Sequence, residues 1–136
     1  MPSIGSLGLS LTYVGNSANI LLMRDSRPIS WLKAARKEFE EFPLAAQEQI
    51  NLALTVAAEG GMAGIAKPFK GAGSGVFEVA LRYRGDAFRV IYTVEFVVEV
   101  IAVDAFQKKS KSGIATPKTD VERILSRLKR LRESAR

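Results

Sequence analysis

Residues 76–106 read VFEVALRYRGDAFRVIYTVEFVVEVIAVDAF, and this stretch constrains the fold more than any other. In VFEVALRY, strict alternation puts Val76, Glu78, Ala80 and Arg82 on one face and Phe77, Val79, Leu81 and Tyr83 on the other. RGD makes a tight turn. AFRVIYTV then sets Phe88, Val90 and Tyr92 opposite Arg89, Ile91 and Thr93. FVVEVIAVDAF is almost continuously apolar, which suits a central strand covered on both faces. The short turns between these runs predict an antiparallel meander. Such a sheet needs helices to cover its apolar surfaces.

The flanking segments supply them. ISWLKAARKEFEEF, residues 29–42, reads as an amphipathic helix with Ser30 as N-cap and Leu32, Ala35, Phe39 and Phe42 along one side. Pro43 ends it or opens the next. LAAQEQINLALTVAAEGG gives a second helix, with Leu44, Ile50, Leu54 and Ala57 on one face and Gly60–Gly61 as a stop. The two make an α-hairpin. TPKTDVERILSRLKRLRESAR predicts a last helix, opened by Thr116 with Pro117 at its first position, or by a Thr119–Glu122 capping box. Val121, Ile124, Leu128 and Leu131 form its apolar face, while Arg123, Arg127, Lys129, Arg130 and Arg132 occupy most of the rest. An N-terminal α-hairpin, an antiparallel meander and a C-terminal helix define an α+β plan. At 136 residues this is one domain.

Residues 1–22 stand apart because they carry no charge and are rich in Gly, Ser and Asn. LSLTYV and NILLM within them suit short strands around a Gly-Asn turn. They lack a basic leader region and an unbroken apolar run, so neither a signal peptide nor a membrane span is expected. The expected organisation is an N-terminal arm over residues 1–22 and a single domain over 23–136, with Met23 a candidate start.

The chain holds no histidine and no cysteine. Serine–histidine and cysteine–histidine mechanisms are therefore excluded, as are thiolate zinc sites and disulfides. Acid–base chemistry must use carboxylate, Tyr, Lys or Arg, and no metal or cofactor is expected. The missing cysteines fit a reducing cytoplasm. Residues 1–68 hold six basic and six acidic residues, whereas 69–136 hold fourteen basic and eight acidic, so the whole +6 excess lies in the second half. That imbalance points to a polyanionic partner.

The glycine-rich MAGIAKPFKGAGSG carries Lys67 and Lys70 but no P-loop pattern. It enters the first long strand, which carries Arg82. The next strand carries Arg89, and Lys108, Lys109 and Lys111 leave the last one. These cations converge on one sheet face, with the aromatics Tyr92 and Phe106 nearby. Cations for phosphates and aromatic rings for splayed bases suit an RNA strand. Each also has a plainer role, in a solvated loop, an ion pair or the core.

PISWL, KPFKG, VFEVALRYRGDAFRVIYTV and VDAFQKKSKSGIATPKTDVERI, in this order and spacing, resemble the RelE/ParE toxin superfamily, most closely its HigB-like, phage-derived branch. The similarity covers roughly residues 23–132. It implies a compact sheet flanked by helices, akin to small microbial ribonucleases, and a type II toxin that cleaves mRNA on the ribosome. It also implies a small helix-turn-helix antitoxin as partner and no metal. The implied chemistry is attack of a ribose 2′-hydroxyl on the adjacent phosphate.

Within that resemblance, Arg89 and Tyr92 match the arginine and tyrosine of the family's central strand. Lys108 and Lys109 match the basic pair after the last strand, and Lys67 and Lys70 the basic loop before the sheet. Glu78 and Ala80 stand where RelE-type enzymes carry lysines, and the histidines of some HigB enzymes are missing. Glu78 is then the candidate general base, beside Arg82 and Arg89. The expected catalytic set is Arg89, Glu78, Tyr92 and Lys109. The expected RNA-binding set is Lys67, Lys70, Arg82, Lys108, Lys109 and Lys111. Two alternatives stay open, a ParE-like gyrase inhibitor and a non-catalytic nucleic-acid-binding relative.

Overall fold

A computed structural model describes residues 26–108 and 116–135. The arm expected over residues 1–22 and the start at Met23 lie outside the described residues. Among the described residues five strands form one mixed sheet: β1 (Ile29–Trp31), β2 (Ala66–Pro68), β3 (Val76–Tyr83), β4 (Asp86–Thr93) and β5 (Val100–Lys108). Their order across the sheet is β1-β5-β4-β3-β2. The predicted meander is the antiparallel run β3-β4-β5. At one edge β1 lies parallel to β5, and at the other β2 pairs antiparallel with β3.

The RGD turn has a simple backbone basis. Arg84 and Gly85 both take positive φ, 53° and 87°, between the paired residues Tyr83 and Asp86. Two left-handed residues make the hairpin turn whose twist matches the strands. One irregularity interrupts the β4–β5 ladder. Ile91 pairs with Asp104 but Tyr92 with Ala102, leaving Val103 as the extra residue of a bulge.

Helices α1 (Lys33–Phe39) and α2 (Leu44–Ala58) cover one face of the sheet. Phe39, Phe42, Ile50 and Leu54 pack there against Val79, Leu81, Phe88, Val90 and Tyr92. Trp31, Phe39, Phe42 and Phe88 form a chain of ring contacts through this layer. Helix α3 (Lys118–Ser134) covers the other face, where Ile124 and Leu128 meet Val76, Ile91, Ile101, Val103 and Phe106. Helix α2 stops as expected: Gly60 takes φ 94°, its N–H reaches the Ala57 carbonyl, and the Gly61 N–H reaches that of Val56.

Several local expectations are corrected. Residues 29–31 form a strand rather than the start of a helix, and the Ser30 hydroxyl donates to Glu99 at 2.5 Å instead of capping. Three residues are too few to show a strand period, and their partner β5 lies about seventy residues away in sequence. Leu44 is 75% exposed, and Ala46 takes the core position in the first turn of α2. Residues 96–98 make a turn, so the apolar run becomes a strand only from Val100. Helix α3 begins at Lys118 after Pro117, with no side-chain cap from Thr116 or Thr119. Among the described residues no helix is long and apolar enough to cross a membrane.

Candidate nucleic-acid interface

The α3 face of the sheet is where the sequence's charges gather. Alternation along β3 sends Glu78, Ala80 and Arg82 to this face, and alternation along β4 sends Ala87, Arg89 and Ile91 there. Register then fixes the neighbours. One rung runs Lys67, Glu78, Ile91 and Asp104 across four strands. The next aligns Ala80, Arg89 and Phe106, and the third Arg82, Ala87 and Lys108. Glu78 and Arg89 are therefore diagonal neighbours, close enough to meet.

They do meet: Arg89 Nη1 donates to Glu78 Oε2. Glu78 is 3% exposed and Arg89 9%, so the pair is almost entirely desolvated. Small Ala80, directly opposite Arg89, leaves room for the guanidinium to lie along the sheet. Above the pair opens a cavity of about 520 Å³ lined by Lys67, Pro68, Phe69, Lys70, Glu78, Arg89, Thr116 and Val121. Lys67 and Lys70 are exposed at its rim. The start of α3 closes one side, and its first-turn N–H groups have no side-chain cap among the described residues. A helix start carries a partial positive charge. Among the described residues, three cations and a helix N-terminus thus surround one carboxylate, an arrangement whose chemistry suits a phosphate beside a proton acceptor.

The structure brings Lys67, Lys70, Glu78 and Arg89 to this one cavity. Arg82 is exposed on the same face, two residues along β3 from Ala80. Lys108 is buried on that face opposite Ala87. Lys109 and Lys111 lie outside the described residues.

The structure does not bring Tyr92 to the site. Tyr92 is on the opposite face, 1% exposed, with its ring stacked on Phe77 at 5.5 Å between centroids. Burial pushes its hydroxyl above the ordinary value, which keeps it protonated. The alternation that puts Arg89 on the α3 face necessarily turns Tyr92 away from it. Phe106 is a core residue of the α3 face, with the Arg123 guanidinium 5.8 Å above its ring.

Three arginines of α3 are committed inside the molecule rather than presented to a partner. Arg123 and Arg127 bind the two carboxylate oxygens of Asp104, at 2.8 Å and 2.9 Å. Burial works against the charge on Arg123, but the hydrogen bonds and charges of Asp104 and Asp120 outweigh it and hold Arg123 above its ordinary value. Arg132 grips Glu95 through Nε at 2.9 Å and Nη2 at 3.0 Å. Its hydrogen bond holds the Glu95 carboxyl below the usual range. Lys129 and Arg130 remain exposed on the outer side of the helix. Asp104 gave no signal in the sequence, since it sits inside an apolar run and its partners lie about twenty residues later. A second cleft of about 460 Å³, between α1 and α3, has Asp104 in its floor. Its lining sets four carboxylates, Glu38, Glu41, Asp104 and Asp120, against the three cations Lys37, Arg123 and Arg127, so it offers an anion less than the Arg89 cavity does.

The family model for phage-derived protein Gp49-like matches residues 37–129 of this chain. No curated protein matches it. Among solved structures, a mutant of the E. coli toxin RelE in the free state is similar with a TM-score of 0.53 at 15% identity, over 78% of this chain and 97% of that one. The toxin–antitoxin complex RelBE2 from Mycobacterium tuberculosis is similar with a TM-score of 0.43 at 15% identity, over 63% of this chain and 94% of that one.

Proposed function

The chain belongs to the phage-derived Gp49-like family and shares the fold of the toxin RelE, and from that premise we propose that it is the toxin of a type II toxin–antitoxin system and cuts messenger RNA on the ribosome. The observation that carries this reading is the cavity itself. Lys67 and Lys70, Glu78, and Arg89 come from three separate stretches of sequence and line one opening beside a helix N-terminus.

In this reading the lysines hold phosphates of a single strand, and Arg89 faces the phosphate that reacts. The phosphate competes with Glu78 for the guanidinium. As Arg89 turns to it, the Glu78 carboxylate is released to accept the 2′-hydroxyl proton. The 2′-oxygen attacks phosphorus, the bond to the 5′-oxygen breaks, and a 2′,3′-cyclic phosphate remains. Arg89 neutralises the charge that builds on the phosphoryl oxygens. Lys109 is the proposed proton donor to the departing 5′-oxygen. Tyr92 has no part in this chemistry. The partner that restrains the toxin is proposed to be a small helix-turn-helix antitoxin.

One observation favours a second reading, a non-catalytic RNA-binding relative: Glu78 is already engaged by Arg89, as a structural pair would be. The family and fold matches do not favour the gyrase-inhibitor alternative. Induced expression followed by primer extension on a translated message separates these. Cuts inside codons in the wild type, absent in Arg89→Ala and Glu78→Gln, are expected. Growth arrest without cuts would contradict the nuclease reading.

A further inference from the structure

The loop between β2 and β3 carries Lys70 and is built to turn sharply. Gly71, Gly73 and Gly75 all take positive φ, 89°, 94° and 86°. Such a loop has little rigidity of its own. Its two ends are tied to the sheet, where the Phe69 N–H donates to the Val76 carbonyl at 2.9 Å and the Val94 N–H to the Gly75 carbonyl at 2.8 Å. Its middle is tied by one side chain from the far end of the chain. Arg132 Nη2 donates to the Ala72 carbonyl at 2.8 Å. The same guanidinium holds both oxygens of Glu95. Glu95 is fixed in turn, since its Oε2 accepts from the Thr93 hydroxyl at 2.6 Å.

Gly73 and Gly75 lie within van der Waals range of the clamp, whereas Gly71 faces open space. A Cβ on Gly73 would stand 3.4 Å from Arg132 Nη2, and one on Gly75 would stand 3.4 Å from the Glu95 Cβ. Ala72 is buried beneath α3 in the core of that face. One planar group therefore joins α3, the β4–β5 connection and the centre of the glycine loop. A planar fork with several donors can make all three contacts at once, while a point charge on a flexible stem keeps the attraction to Glu95 without the fixed geometry.

We propose that Arg132, through Glu95 and the Ala72 carbonyl, is a positioning residue that sets the 69–75 loop so that Lys70 meets a phosphate of single-stranded RNA at the rim of the Arg89 cavity. The proposal rests on the reading of that cavity as an RNA site. Arg132 is not among the residues that line the cavity; it reaches the loop through the Ala72 carbonyl and is itself anchored by Glu95. Glu78 and Arg89 are carried on β3 and β4, so their geometry does not depend on the clamp. Releasing it weakens RNA binding and spares the chemical step.

The test uses the full chain with Arg132→Ala, Arg132→Lys, Glu95→Ala and the Arg132→Ala/Glu95→Ala double variant. Amide hydrogen exchange across residues 69–75 reads the clamp directly, and cleavage of a message on programmed ribosomes reads its consequence. Exchange in the loop is expected to quicken in Arg132→Ala. KM should rise roughly five- to tenfold while kcat stays within about twofold. The double variant should be no worse than either single one, and Arg132→Lys should recover part of the loss. Unchanged exchange, a fall in kcat at constant KM, or additive losses would overturn the proposal. If Arg132→Ala fails to fold, Glu95→Gln, which keeps the volume and weakens the pair, takes its place. Faster loop exchange with a raised KM in that variant supports the clamp, and unchanged exchange overturns it. If the wild type cuts no message, the nuclease reading fails and the clamp is judged separately. Faster loop exchange with weaker binding of a single-stranded oligoribonucleotide in the variants then supports it, and unchanged exchange or binding overturns it.

Discussion

The two faces of the sheet are built from the same strands and differ in almost everything else. The face under α1 and α2 is dry, with four aromatic rings in a contact chain and Tyr92 stacked on Phe77. The face under α3 contains every buried polar or charged residue among those described: Glu78, Arg89, Thr93, Asp104 and Lys108. Burying charge is costly unless it is paired. The α3 face meets that cost with ion pairs to Glu78 and Asp104. One face is thus built from apolar packing, and the other buries charge that is held in pairs.

The sharpest break of this contrast targets the Glu78–Arg89 pair. Arg89→Ala leaves a buried carboxylate without its guanidinium, and urea unfolding should show a loss of about 3–5 kcal/mol. Replacing both partners, as in Glu78→Leu/Arg89→Met, should restore most of that stability while leaving the protein inactive. If the double variant were as unstable as the single one, the pair would not be the electrostatic unit described. On the dry face, Leu54→Ala should cost about 2–5 kcal/mol by the same measurement, yet leave the activity of the folded fraction intact.

A smaller effect sharpens the assignment of Tyr92. Tyr92→Phe should keep cleavage within about twofold, because the hydroxyl lies on the face opposite the Arg89 cavity, where the chemistry is proposed. A loss beyond tenfold would return Tyr92 to the mechanism. Smaller again is the turn: Arg84→Asn suits the left-handed position better and should raise stability by about 0.5–1 kcal/mol in thermal melts.

The clamp at the edge of the α3 face makes a prediction in pH. Arg132 lowers the folded-state value of Glu95, so the interaction contributes stability above the unfolded carboxyl value and loses it as pH falls through the folded one. Urea midpoints should therefore favour the wild type over Glu95→Gln at neutral pH and converge below about pH 4. A gap that persists in acid would mean the pair acts through packing rather than charge.

Much of the α3 face was legible in the sequence because alternation is local. The period of β3 and β4 places Glu78 with Arg89; the same period turns Tyr92 to the opposite face, against the expectation, carried by the family resemblance, that it joins the catalytic set. The pairing of β1 with β5 was not legible, since three residues carry no period. The bulge at Val103 is likewise invisible, though it turns both Val103 and Asp104 toward α3. The basic excess of the second half points to a polyanionic partner, yet three of its arginines, Arg123, Arg127 and Arg132, are held by Asp104, Asp120 and Glu95. Charge on a helix is readable from sequence; the partner that consumes it comes from elsewhere in the chain.

The most direct test of the account is single-turnover cleavage of a message held in the ribosomal A site, comparing wild type, Arg89→Ala and Tyr92→Phe, each verified as folded. The account predicts a 2′,3′-cyclic phosphate product, a fall of about 10²–10³ in rate for Arg89→Ala, and a near wild-type rate for Tyr92→Phe. Equal cleavage by wild type and Arg89→Ala, or none by the wild type, would contradict the claim that the α3 face is a ribonuclease site.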